Sequence, residues 1–266
     1  MTKLSELIDF LHSIAPPELQ EDYDNAGLIT GYPEMEVTGV MVCLDAIEPV
    51  IDEAIEQGCN VVIAHHPIVF RGLKRFNGSN YVERTVIKAI KHDIAILAIH
   101  TNLDNVYENG VNTKIADILG LRNVSILAPK NLLQYNNHPV GAGVTGLLPD
   151  PVPVYDFLDY LKEKMQLTVL KHTALCKQEV HKVAVCGGSG GFLLRDAVRQ
   201  GADIFITSDF KYHEFFDADG RIIIADIGHY ESEKFTIQLL YELIINNFSN
   251  FAARYTKHIT NPVHYY

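Results

Sequence analysis

Five side chains able to bind metal stand at telling positions: adjacent His65 and His66 ahead of Pro67, Asp104 within HTNLD, and His229 with Glu233 four residues on. One ion takes about three or four protein ligands, so five ligands shared by two ions leave coordination positions for water, a bridging group or a substrate. That openness describes a two-metal site suited to chemistry rather than a structural staple. A mixed imidazole and carboxylate set fits zinc, manganese or iron, and the residue types do not choose among them.

Each pattern also has a plainer reading. HHP can be purely structural, an isolated HxxxE is commonly a solvated surface pair, and His100 reads best as a polar residue at a strand end that holds the loop or a water. Glu231 competes with Glu233, but its offset from His229 points it to another helix face, whereas residues four apart share one. Neighbouring strand residues face opposite ways, so His65 and His66 can share a site only where their strand ends. Pro67 assists, because it removes a backbone donor and biases His66 away from helical geometry.

The elements that must position these groups follow from periodicity. Leu4, Leu7, Ile8, Leu11 and Ile14 repeat at helical spacing up to Pro16-Pro17. Strands are then expected at 39–44, 61–64 and 94–99, with helices at 49–57, 82–92 and 111–119, a βαβ rhythm that predicts a largely parallel sheet. The polar, Asn-rich stretch from Ala128 to Pro139 interrupts this rhythm and is taken as the passage into a second lobe, giving lobes of 1–127 and 128–266. There the pattern predicts strands at 140–148, 167–173, 183–186, 204–207 and 222–225. Helices are expected at 154–165, 193–200 and 231–246, the last able to pack back on the first lobe. The expected fold is α/β, two lobes with mainly parallel sheets. VVIA precedes His65-His66, AILAI precedes HTNLD and IIIAD precedes GHYESE, so the ligands gather at the carboxyl ends of strands, between the lobes.

Composition limits the function classes. The chain has 266 residues, 47% apolar and 21% charged, enough to bury a sizeable core, with no apolar run near the roughly 20 residues needed to span a bilayer. MTKLSELIDFLHSI carries acids and an amphipathic rhythm, so it is read as a helix and not a secretory signal, and the expected location is the cytoplasm. Cys43, Cys59, Cys176 and Cys186 have no CxxC spacing and are expected as free thiols. A formal charge of −11 without a basic run disfavours nucleic-acid binding.

Around the ligands, Asp24 and Asn25 in DYDNAGL can form a polar turn or hold a ligand histidine, and Asp45 can do the latter or cap a loop. Asp209 and His213 can move protons near neutral pH, or serve as a helix cap and a surface histidine. The loop GGSGG at Gly187–Gly191 lacks the GxGxxG register and a Walker lysine, and reads as a tight structural turn.

The ordered motifs DYDNAGL, VCLDA, AHHPIVF, IHTNLDN, ITSDFKYHE and GHYESE resemble, over nearly the whole chain, the Nif-three-like dinuclear metal-centre family, known in bacteria as GTP cyclohydrolase 1 type 2 homologues. The resemblance implies that His65, His66, Asp104, His229 and Glu233 bind two divalent ions in a toroidal homohexamer. It also implies hydrolysis of GTP to formate and dihydroneopterin triphosphate. The alternatives are a non-catalytic metal-binding or interaction hexamer, or hydrolysis of another phosphate or amide substrate. The chain lacks room for the middle domain of longer relatives. It also departs from the family pattern with Tyr23 where Trp is common and Ser208 where Gly is expected, both of which bear on pocket shape.

Overall fold

The computed structural model describes residues 1–135 and 138–266. Its first helix, α1 (Leu4–Ile14), buries Leu4, Leu7 and Leu11 along one face, and Pro16-Pro17 lie just beyond its end. There follow β1 (Gly27–Thr30), β2 (Gly39–Asp45), α2 (Glu48–Glu56), β3 (Val61–His66), α3 (Tyr81–Lys91), β4 (Ala95–Ala98) and the single turn α4 (Thr101–Asp104). Next come α5 (Val111–Ile118), β5 (Arg122–Tyr135), β6 (His138–Pro153), α6 (Val154–Lys164), β7 (Lys171–His172) and β8 (Glu179–Val185). The chain closes with α7 (Leu194–Arg199), β9 (Ile204–Thr207), β10 (Ile223–Asp226), α8 (His229–Glu233), α9 (Thr236–Asn247) and β11 (Ala252–Tyr255). No helix among the described residues is long and apolar enough to cross a membrane.

The chain divides into two units, Met1–Leu103 with Thr236–Pro262, and Asp104–Phe235 with Val263–Tyr266. The first holds a five-stranded sheet in the order β1-β4-β3-β2-β11. β11, β2, β3 and β4 run parallel, and β1 is antiparallel at the edge. Parallel strands covered on both faces need continuous apolar runs, and Gly39 to Leu44 and Val61 to Ala64 are buried throughout. Val50, Ile51 and Ala54 of α2 and Val86 and Ala89 of α3 share one core with Met41, Cys43, Val62, Ala64 and Ile96 of the sheet. Asn80 caps α3 by accepting from the Glu83 amide at 2.9 Å, and Glu83 reaches back to accept from Asn77 and Ser79.

The second unit holds six strands in the order β5-β6-β8-β9-β10-β7. β8, β9 and β10 are parallel, while β5, β6 and β7 each pair antiparallel. The class is α/β as expected, with two sheets, but this second sheet is mixed rather than mainly parallel. The reason is that β5-β6, β6-β8 and β10-β7 all pair antiparallel, which needs no crossover helix, so only β8, β9 and β10 keep the parallel arrangement. Its core joins Ala184, Phe205 and Ile224 of the sheet to Leu194 and Ala197 of α7.

Three expectations about elements change. The segment from Ala128, taken from sequence as the passage between lobes, is strand β5 up to Tyr135, while Asn136 and Asn137 of that stretch lie outside the described residues. The chain leaves the first unit at Leu103 instead. The strand expected at 167–173 is only Lys171–His172, both exposed, so its alternation buries nothing. The helix expected over 231–246 is two. α8 turns Glu231, Ser232 and Glu233 inward in the second unit, whereas α9 buries Leu239, Leu240 and Ile244 in the first.

Candidate metal centre

In the first unit the parallel register places the imidazoles. β3 ends at His66, which lies opposite Asp45 of β2, and the Asp45 Oδ1 atom accepts from His66 Nδ1 at 2.8 Å. One residue earlier, fully buried His65 directs Nδ1 to the Ile99 carbonyl just beyond β4, at 2.9 Å. His100 follows and directs its Nδ1 to Asp24 Oδ1 at 2.7 Å. The three rings form a triangle, with centroids 5.0, 5.3 and 5.3 Å apart, and each offers a ligand atom within 4.8 Å of the other two.

The shared orientation fixes the chemistry. A carbonyl oxygen can only accept, and so can an ionised carboxylate, so each Nδ1 carries a proton, and in the neutral ring Nε2 is then the atom that can bind a cation. An acceptor on the far nitrogen is what metal-ligating histidines generally use to hold their tautomer and ring direction. Asp45 and Asp24 are therefore the orienting carboxylates that their positions allowed. Asp45 is itself steadied by the Thr260 hydroxyl at 2.5 Å, and Asp24 accepts from the Thr101 hydroxyl at 2.5 Å and its amide at 3.1 Å. Burial opposes charge on Asp24, but the bonds from His100 and Thr101 outweigh it and hold the pKa at about 2.

The second unit holds a carboxylate-rich set of its own. α8 begins at His229, and Glu233, one turn on and buried, places Oε2 3.1 Å from His229 Nε2. Asp209, just beyond β9 with a left-handed backbone (φ +62°), accepts from His229 Nδ1 at 2.7 Å. Burial opposes charge on His229, yet the bonds and charges of Asp209 and Glu233 outweigh it and raise its pKa to about 11. The bond to His229 draws the Asp209 pKa down despite burial. Asp104 and Glu233 offer ligand atoms within 4.8 Å of one another. Glu231 accepts a hydrogen bond from the Tyr265 hydroxyl.

The GGSGG loop packs beside these groups. Gly188 has φ +62°, and a Cβ there would fall 2.2 Å from Glu233 Oε1, so only glycine permits this approach. Its amide donates to Ser232 Oγ at 2.9 Å, and its carbonyl accepts from the Ser208 and Thr207 hydroxyls at 2.6 and 3.0 Å. The Gly187 amide donates to Asn112 Oδ1 and the Gly190 amide to Thr207 Oγ1, both at 2.9 Å. The amides of Gly187, Gly188 and Gly190 are thus spent internally, as in a tight structural turn. Ser208, one of the two departures from the family pattern, acts by pinning Gly188, and Tyr23, the other, is exposed.

Sequence reasoning did not single out Asn112 or Ser232. Asn112 is buried and joins the Asp104 carbonyl (3.0 Å) to Gly187, and Ser232 ties Gly188 to the His229 carbonyl (2.8 Å). Their signal was weak, one polar residue each in a helix. His100, read as a loop-holding residue, stands within the imidazole triangle. His213 is exposed, with Tyr212 and Phe216 as its ring neighbours.

Imidazoles in the first unit, and carboxylates with an imidazole in the second, are donor types that fit divalent metal. Asp45→Ala is expected to weaken zinc binding about 10- to 100-fold, measured by chelator competition, while the fold survives. The depressed pKa of Asp24 makes a contribution to stability that is present above its ordinary value of 3.8 and lost as pH falls through about 2. Urea midpoints of the wild type and Asp24→Asn should therefore differ at pH 5 and converge toward pH 2.

The chain is similar to several known proteins. The GTP cyclohydrolase 1 type 2 homolog of Clostridium acetobutylicum is 34% identical over 232 residues, which cover 87% of this chain and 85% of the relative. A Staphylococcus aureus protein of the same description is 27% identical over an alignment of 347 residues, covering 93% of this chain and 94% of the relative. That alignment is longer than the chain itself, so the relative carries residues that this compact form lacks. A crystal structure of a Staphylococcus aureus protein superposes with a TM-score of 0.90 at 30% identity, covering 100% of this chain and 99% of that one. The profile of Duf34/NIF3 (NGG1p interacting factor 3) matches residues 2–262, and the chain belongs to that family.

Proposed function

We propose that His65, His66, Asp104, His229 and Glu233 together hold two divalent cations, and that the protein is a metal-dependent hydrolase acting on a nucleotide, GTP first among them. The reading requires the imidazole triangle of the first unit and the acidic set of the second to serve one centre. The observation that carries it is the common preparation of His65, His66, His100 and His229, each with Nδ1 held by an acceptor so that Nε2 is the ring atom turned toward a cation, with Glu233 Oε2 already facing His229 Nε2 at 3.1 Å.

When bound, such ions lower the pKa of water and polarise a substrate oxygen. The chain's own residues do the rest. Asp104 has two oxygens and can bridge two cations, Glu233 gives a buried anionic ligand, and Asp209 positions His229. His213 is a proton carrier in this reading. Zinc, manganese and iron all suit the donors.

GTP as substrate is supported by the description shared by the relatives. The corresponding reaction adds water to the guanine imidazole ring, opens it and releases formate, after which rearrangement of the ribose and its closure onto the freed amino group with loss of water give dihydroneopterin triphosphate. A homohexamer in the cytoplasm belongs to the same proposal.

The test is formate release from GTP by protein loaded with zinc, manganese or iron, beside a chelated control and Asp104→Ala. Release should depend on metal and fall at least about 100-fold in the variant, as expected when a group that stabilises transition-state charge is lost. Wild type that holds two ions per chain yet releases no formate with any of the three metals would overturn the GTP reading.

A further inference from the structure

The second unit contains a cleft of about 1060 Å³ that the metal ligands do not explain. Its volume is at the upper end of what small-molecule sites offer. Phe192 and Phe216 both line it and are each 68% exposed, so two apolar rings of one cleft are open to a ligand's flat face. Four cations line it, Arg195, Arg199, Lys211 and Arg221, matched in number by Asp209, Glu214, Asp217 and Asp219, in a chain whose formal charge is −11.

Those cations are not equivalent. Arg199 pairs with Asp196, Lys211 lies 3.8 Å from Glu214, and Arg221 lies 3.6 Å from Asp219. All three cations are well exposed, so these pairs bind them weakly and yield to a stronger anion. Arg195 makes no hydrogen bond or ion pair with any described residue, and its planar fork matches phosphate oxygens two at a time. Asp217 lines the same cleft and also has no ion partner among the described residues, which leaves its oxygens for amino or hydroxyl donors. Asp209 forms part of the wall, and it is the carboxylate that holds His229.

We propose that this cleft binds a nucleoside triphosphate, with its phosphates on Arg195 and Arg221 and its base against Phe192 and Phe216. The inference rests on the hydrolase reading for its biological sense and deepens it by naming where the nucleotide is held. Aromatic faces and guanidinium forks together select a ligand with both a flat ring and a polyanion, which neither a bare phosphate nor an apolar molecule satisfies. Asp209 then connects the occupied cleft to the orientation of a metal ligand.

Isothermal titration of the purified protein with GTP, inorganic triphosphate and guanosine tests this. GTP should bind more tightly than either fragment and weaken with added salt. Arg195→Ala should weaken GTP and inorganic triphosphate about tenfold, the scale of losing a hydrogen bond to a charged group. Phe192→Ala should weaken GTP and guanosine and leave inorganic triphosphate unchanged. Both residues are exposed, and unchanged thermal melts would show that the variants fold. Equal GTP affinity in wild type and both variants, or no GTP binding at millimolar concentration, would overturn the proposal. The two readings separate cleanly: cleft-dependent binding without formate release removes the hydrolase and keeps the cleft, and formate release indifferent to Arg195→Ala and Phe192→Ala does the reverse.

Discussion

A histidine can serve a metal only if something holds its other nitrogen, and the architecture around the candidate centre is organised by that need. Ile99, Asp45, Asp24 and Asp209 provide an acceptor to His65, His66, His100 and His229 in turn. None of these acceptors is placed by a flexible side chain alone. Asp45 stands opposite His66 because β2 and β3 pair in parallel at that register, and the Ile99 carbonyl reaches His65 because β4 pairs with β3 one step earlier. The sheet thus sets the tautomers, and the tautomers set which atoms can bind a cation.

The second unit meets the same need under tighter packing. Burying Glu233 beside Asp104 brings two carboxylates together where water cannot screen them, an arrangement that costs free energy unless positive charge arrives. Gly188, Asn112 and Ser232 hold the backbone around these groups by hydrogen bonds that leave no amide of Gly187, Gly188 or Gly190 for a phosphate. In the proposed binding mode the nucleotide is met instead by the side chains of the adjoining cleft, where Arg195 and the two exposed phenylalanines stand.

Much of this was legible in the sequence because it rests on short-range rules. Apolar runs ending in His65-His66, HTNLD and GHYESE predicted strands that end in ligands, and the i, i+4 spacing of His229 and Glu233 survived as a single helical turn. The limits were those of non-local pairing. β11 is largely exposed and gains its place only by pairing with β2, some 200 residues away in sequence, as its register records. The Asn-rich stretch looked like a linker because its polarity does not reveal that a hairpin partner, β6, turns it into strand up to Tyr135. His100 was undervalued for a related reason, since only the fold brings Asp24 to its Nδ1. The division of α8 from α9 was invisible because polar residues at helical spacing do not disclose which core each turn will face.

The central claim is that Nε2 atoms of these imidazoles and the carboxylates of Asp104 and Glu233 bind two ions. Anomalous diffraction at the zinc edge from zinc-loaded crystals tests it most directly. Two peaks per chain are expected, with His65, His66 and His229 coordinating through Nε2 at about 2.0–2.1 Å. A single peak, peaks away from these residues, or coordination through Nδ1 would contradict it.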